Sequence, residues 1–159
     1  MTPIWLVPTA RVIGWWPLGA VAALLVGTAL LAEVPLGAFV AVAAAALAAG
    51  VVAGLRDPAA ALLAALPTSV AVRRGRRLLL LLPAELAVSW VSGLHVPLGG
   101  LVAMTATGIA VAFWLGPAAG VAVPLGWAMV ARAGGLDWDQ HTSLVTIAAL
   151  AALWTGRNR

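Results

Sequence analysis

Apolar positions fall into six long runs, separated by short polar or Pro/Gly breaks. The runs are Val12 to Ala32, Leu36 to Leu55, Leu78 to Leu94, Leu98 to Leu115, Ala118 to Ala131 and Thr142 to Trp154. Glu33-Val34-Pro35, Arg56-Asp57-Pro58, His95-Val96-Pro97, Gly116-Pro117 and Arg132-Ala133-Gly134-Gly135 close the first five. Such runs lack the polar face that a helix on a water-soluble core keeps. About 20 apolar residues as helix cross a hydrocarbon layer of about 30 Å. The pattern therefore predicts an all-α polytopic membrane protein with six transmembrane helices in one transmembrane domain, residues 1–159. The fifth and sixth runs are short for full spans, so their ends should extend through Arg132, Asp139 and the C-terminus, or tilt little. The first run is too long for a signal-peptide core and five more follow it, so it reads as a span. Thr2 to Pro8 holds two prolines and reads as a poor helix former.

Charge sets the orientation. Short cytoplasmic loops carry the excess of basic residues. With the N-terminus inside and six alternating spans, Arg11, Arg56, Arg73, Arg74, Arg76, Arg77, Arg157 and Arg159 all fall inside, opposed by Asp57 alone. Glu33, Arg132, Asp137 and Asp139 fall outside, and Glu85 lies within the third span. Both termini are thus expected to be cytoplasmic, in a multi-pass protein of a bacterial inner (plasma) membrane. Trp15, Trp16, Trp90, Trp114, Trp138 and Trp154 lie near span ends, where indole rings favour the interface. Composition agrees: 64% of residues are hydrophobic, 9% are charged, and mean hydropathy is +1.08. A soluble domain is about 25% charged, so a soluble enzyme or a free nucleic-acid binder is excluded, and the net charge of +4 belongs to topology. There is no Cys, hence no thiol chemistry. All basic residues are Arg, and Ala and Gly abound, as in a high-GC bacterial genome.

One connection is long: Arg56 to Arg77, reading RDPAAALLAALPTSVAVRRGRR. Asp57 suits an N-cap and Pro58 the first helical position. A short apolar helix can run to about Leu66, where Pro67 ends it. Thr68 or Ser69 can cap a second helix that carries Arg73, Arg74, Arg76 and Arg77 and merges into the third span. Leu62, Leu63 and Leu66 form an apolar cluster too short to cross a bilayer. It must lie at the interface or dock on a partner, with the arginines at the level of anionic headgroups.

This stretch resembles the coupling helix of permease subunits of type-2 ATP-binding-cassette exporters, which often reads L-L-x-x-x-P-x-S/T followed by basic residues. Here Leu62-Leu63-Ala64-Ala65-Leu66-Pro67-Thr68-Ser69 precedes Arg73, Arg74, Arg76 and Arg77. Six spans with both termini inside extend the likeness. The resemblance implies that Asp57 to Ser69 docks in a cleft of a separate ATPase subunit, and that a second permease subunit, identical or related, completes the pathway. ATP and Mg would sit on the ATPase, because this chain has no GxxxxGK[ST] loop and no Lys to serve in one. The implied function is translocation of a hydrophobic or amphiphilic substrate, with no enzymatic activity in this chain. Two other readings compete: an accessory or scaffold subunit of a larger membrane complex, and a membrane-embedded substrate-capture component, which would want more polar groups around an outward pocket.

Among polar residues inside the runs, Glu85 stands out. It lies about 12 Å beyond Arg77 along a helix. Ser89 and Ser92 follow at i+4 and i+7 on the same face, and Pro83 should loosen the helix. Glu85 and Ser89 read either as a polar spot on a translocation pathway or as a neutral carboxyl bonded to a neighbouring helix. Thr28, Thr105 and Thr107 should bond their own helix or a neighbour. The DWDQH stretch, Asp137 to His141, matches no metal spacing and reads as a solvated outer loop; no catalytic, cofactor-binding or metal site is expected. Gly50/Gly54 and Gly116/Gly120 match GxxxG, a pattern that chance supplies in a chain this rich in Gly and Ala.

Overall fold

The computed structural model describes residues 5–31, 39–56, 70–93, 96–135, 137 and 141–156. Among them are seven α-helices and no strand: α1 (Leu6–Val12), α2 (Trp16–Leu31), α3 (Val40–Gly54), α4 (Val70–Val91), α5 (Leu98–Leu115), α6 (Pro117–Gly134) and α7 (Thr142–Gly156). The chain is all-α, and α2 to α7 coincide with the six apolar runs. By length and composition α5 is long and apolar enough to cross a membrane, and α1 with α2 passes only as a pair bent by 77°. The apolar helices Val40–Gly54 and Thr142–Thr155 are shorter.

The N-terminal segment departs from expectation. Helix α1 forms despite Pro8. The proline falls in the first turn, where its missing N–H would have had no intrahelical acceptor. Thr9 adds a hydroxyl bond of 2.6 Å to the Trp5 carbonyl. The chain then breaks at Ile13 to Trp15, and the Trp15 indole N–H donates to the Ala10 carbonyl at 2.7 Å, satisfying a group that the end of α1 leaves open. A short helix therefore precedes the first apolar run, and a sharp corner at Ile13 to Trp15 separates it from α2, which forms the body of that run.

Helix α4 does what the sequence predicts. The basic segment and the third apolar run form one uninterrupted 22-residue helix that continues through Pro83. Helix α6 extends past Arg132 to Gly134, as the short fifth run required. Between α5 and α6 the turn is the single residue Gly116, at φ 93° and ψ 164°, a conformation only glycine adopts without strain. Pro117 then opens α6, where its fixed φ suits the first turn.

Helix α3 is the centre of the bundle and packs on α2, α4, α5 and α6; α5 also packs on α6 and α7, and α1 rests on α4. Nearly every residue of α3 from Ala41 to Gly54 is buried, and most are Ala, Gly or Val. Small residues let backbones approach closely. At Gly50 an added Cβ would stand 3.3 Å from the Leu18 Cα, and at Gly54 3.3 Å from the Gly14 carbonyl. The tightest contact is α5 on α6. There a Cβ on Gly120 would fall 2.6 Å from the Gly108 carbonyl oxygen and 2.9 Å from the Ala112 Cα. Gly50, Gly54 and Gly120 thus sit at helix crossings, whereas Gly116 makes a turn. The larger apolar side chains of the core are few: Leu18, Leu47, Leu81, Leu101 and Met104 with Ile13, Val51 and Val52.

Candidate functional site

Two polar features occupy the bundle. The first lies on α4. Stepping by four along the helix, Arg77, Leu81, Glu85 and Ser89, followed by Ser92, are all buried, so one face carries a cation, a carboxyl and two hydroxyls. Glu85 is 2% exposed and accepts a 2.8 Å hydrogen bond from the Thr105 hydroxyl of α5. Thr105 is also 2% exposed. The Ser92 hydroxyl donates to the Ser89 carbonyl at 3.1 Å. Thr28 and Thr107 bond their own helices, at the Leu25 and Ala103 carbonyls. Glu85 therefore pairs with a neighbouring helix, in a place where an unpaired carboxyl would be costly.

Replacing Thr105 with Val removes that bond while keeping the shape. Thr105→Val should lose about 1–2 kcal/mol in a denaturation titration. Glu85→Gln, which can still accept from Thr105, should lose less. Equal stability of Thr105→Val and the parent chain would make the bond energetically idle.

The second feature is the end of the bundle where α4 begins. Arg77 Nη1 donates to the Arg56 carbonyl at 3.0 Å and to the Leu55 carbonyl at 3.4 Å. Those carbonyls lie just past the last turn of α3, where a cation also meets the negative end of the helix dipole. The Arg74 guanidinium stacks over Phe113 of α5, 4.7 Å from the ring centre, and that of Arg76 over Trp5, at 5.6 Å. Trp114 donates its indole N–H to the Ala152 carbonyl of α7 at 3.0 Å. The start of α1, the end of α3, the start of α4 and the ends of α5 and α7 thus meet at one end, as six alternating helices require.

The arginines expected together at headgroup level are in fact divided. Arg77 is 4% exposed and binds backbone, Arg74 is exposed, and Arg73 and Arg76 are half-buried. The physical reason is helical geometry: successive residues point about 100° apart, so Arg77 faces α3 while Arg74 and Arg76 face α5 and α1. Sequence reasoning missed Arg77's separate role, although stepping back by four from Glu85 through Leu81 reaches it. It also missed Phe113 and Trp5 as partners, which no local pattern marks. The expected coupling residues Asp57, Leu62, Leu63, Leu66, Pro67, Thr68 and Ser69 lie outside the described residues, as do Trp138 to Gln140 of the DWDQH stretch. Asp137 and His141 are exposed, and among the described residues no group of three or more His, Cys, Asp or Glu could hold a metal.

At the opposite end, Leu98, Gly99, Thr142 and Thr146 line an open groove of about 410 Å³ between the starts of α5 and α7. No protein-family profile, curated protein or solved structure matches the chain.

Proposed function

We propose that the chain is a membrane-spanning permease subunit of an ATP-driven exporter, with α2 to α7 as six spans, both termini cytoplasmic and ATP hydrolysis in a separate subunit. The observation that carries the membrane reading is an inverted surface. Large apolar side chains face outward along the helices, among them Trp16, Leu24, Leu30, Leu79, Trp90, Leu98, Met129, Leu144, Ile147 and Trp154. The buried positions are mostly Ala and Gly, with Arg77, Glu85, Ser89, Ser92 and Thr105. In water such a surface would aggregate; in lipid it is the ordinary arrangement, with small residues at crossings and polar ones turned inward.

Coupling draws support from the basic end. Arg77 fastens the end of α3 to the start of α4, and the chain between them is the Leu62-Leu63 to Ser69 segment that resembles a coupling helix. A partner ATPase pulling on that segment would move α3 and α4 as one body. Through α3 it would reach α2, α5 and α6. Binding of ATP shifts the spans only if the ATPase grips the two states differently, and the apolar Leu62, Leu63 and Leu66 are the residues assigned to that grip. A second permease subunit, identical or related, completes the pathway. The substrate class is hydrophobic or amphiphilic.

One observation favours the other reading, an accessory or scaffold subunit: Glu85 is closed onto Thr105 inside the bundle rather than lining a path. Purification from membranes in gentle detergent separates the two. A stoichiometric ATPase should accompany the parent chain, and Leu63→Asp/Leu66→Asp should lose at least tenfold of it while still inserting. Parent chain that comes without an ATPase, inside some other membrane assembly, would establish the scaffold reading.

A further inference from the structure

We infer that the Arg74–Phe113 and Arg76–Trp5 pairs form a binding surface for the headgroups of anionic phospholipids. The inference rests on the membrane-spanning reading but not on the exporter. Three observations converge. First, both guanidiniums lie over aromatic rings, at 4.7 and 5.6 Å from the ring centres. A ring face holds a guanidinium through its quadrupole and leaves the N–H edge able to meet a phosphate, which arginine binds with a planar fork. Second, the described charged residues at this end are all arginines. Arg11, Arg56 and Arg74 are exposed and Arg76 half-buried, and the described carboxylates are elsewhere: Glu85 is inside the bundle and Asp137 precedes α7 at the far end.

Third, the cations stand among apolar side chains that face outward. Val72, Leu79, Phe113, Trp114 and Leu115 are all exposed around them. A soluble protein docking there would have to cover both this apolar surface and the charges. A phospholipid presents the same two chemistries, phosphate at the level of the arginines and acyl chain along Leu79, which lies deeper along α4. Trp and Arg at one level are what a membrane interface selects. Arg74 and Arg76 point to different sides of α4, toward α5 and α1, so the surface takes headgroups on two flanks.

The test is native mass spectrometry of the full chain in detergent, with phosphatidylglycerol or phosphatidylcholine added. Each juxtamembrane cation is worth about fivefold in attraction to an anionic headgroup. Phosphatidylglycerol should therefore be retained in preference to phosphatidylcholine, and Arg74→Gln/Arg76→Gln should weaken its retention on each flank by about fivefold. Arg132→Gln removes an exposed cation at the opposite end of the bundle, where α6 finishes, and should change retention by less than about twofold. Equal losses per arginine in the two variants would reduce the effect to net charge and overturn the proposal. So would equal retention of the two lipids, or displacement of phosphatidylglycerol by millimolar inorganic phosphate, which marks a free-anion site. A co-purifying protein lost in Arg74→Gln/Arg76→Gln, with no lipid preference, would assign the surface to that protein instead. If the Gln double fails to fold by circular dichroism, Arg74→Lys/Arg76→Lys keeps charge without the planar fork. It should retain the preference for phosphatidylglycerol with weaker binding, and binding unchanged from the parent would overturn the fork argument. Carbonate extraction of the membranes reports separately on insertion, so a chain that does not insert refutes the span reading rather than the lipid surface.

Discussion

Replacing Gly120 with Val should separate α5 from α6 and cost about 3 kcal/mol or more of stability. Already a Cβ at this position would stand 2.6 Å from the Gly108 carbonyl oxygen and 2.9 Å from the Ala112 Cα, both backbone atoms that no rotamer change can move. Overpacking a tight contact typically costs about 1–3 kcal/mol, and here the two helices must part before a side chain fits. Gly108 on the facing helix has no room to give, since a Cβ there would meet Val52 of α3 at 2.9 Å and the Gly120 carbonyl at 3.0 Å. The single-residue turn at Gly116 leaves little slack. Gly120→Ala should already destabilise by about 1–3 kcal/mol. Gly126→Ala on the same helix is the control, because nothing lies within 4 Å of its added Cβ. That change should be neutral or stabilise by up to about 1 kcal/mol through helix propensity. Thermal or denaturant unfolding in detergent, followed by tryptophan fluorescence, would measure all three. Similar midpoints for Gly120→Val and Gly126→Ala would mean that the crossing is looser than described.

Arg77→Met should cost about 2–3 kcal/mol, out of proportion to removing one arginine of a basic cluster. Methionine keeps most of the apolar stem and loses the charge. The Leu55 and Arg56 carbonyls at the end of α3 would lose a charged donor at a largely buried site, where hydrogen bonds to charged groups are worth about 1.5–3 kcal/mol. Arg74→Met removes the same charge from an exposed position and should cost less than about 1 kcal/mol, the range of an exposed cation–π contact. Arg77→Lys should fall between, since an ammonium keeps the charge but reaches two carbonyls with a poorer geometry. Denaturation midpoints of the three variants decide it. If Arg77→Met and Arg74→Met were equally mild, Arg77 would be one more surface charge, and the fastening of α3 to α4 would carry no energy. Should the exporter reading hold, Arg77→Met is also expected to lower transport more than ATPase binding, because the grip on the 57–69 segment would remain while its base loosened.

Helices were legible because apolar run length, Pro/Gly punctuation and charge are local properties. The runs gave α2 to α7, and Gly116-Pro117 gave the turn between α5 and α6. The helix carrying Arg73 to Arg77 into the third run, and the shared face of Glu85, Ser89 and Ser92, followed from a period of 3.6. Local pattern misjudged α1, where the position of Pro8 in the first turn mattered more than its identity.

What the sequence by itself determined was therefore the elements and their order. Only the tertiary structure decided partners. It chose Thr105 for Glu85, the α3 carbonyls for Arg77, and Phe113 and Trp5 for the two arginines on either side. It also separated the glycines at crossings, Gly50, Gly54, Gly108 and Gly120, from Gly116 at a turn. The reason is that apolar periodicity and charge act along the chain, whereas a crossing, a cap or a stacked ring depends on which helix lies alongside. In a chain built so largely of Ala, Gly, Leu and Val, many faces of each helix are alike until the neighbours are in place.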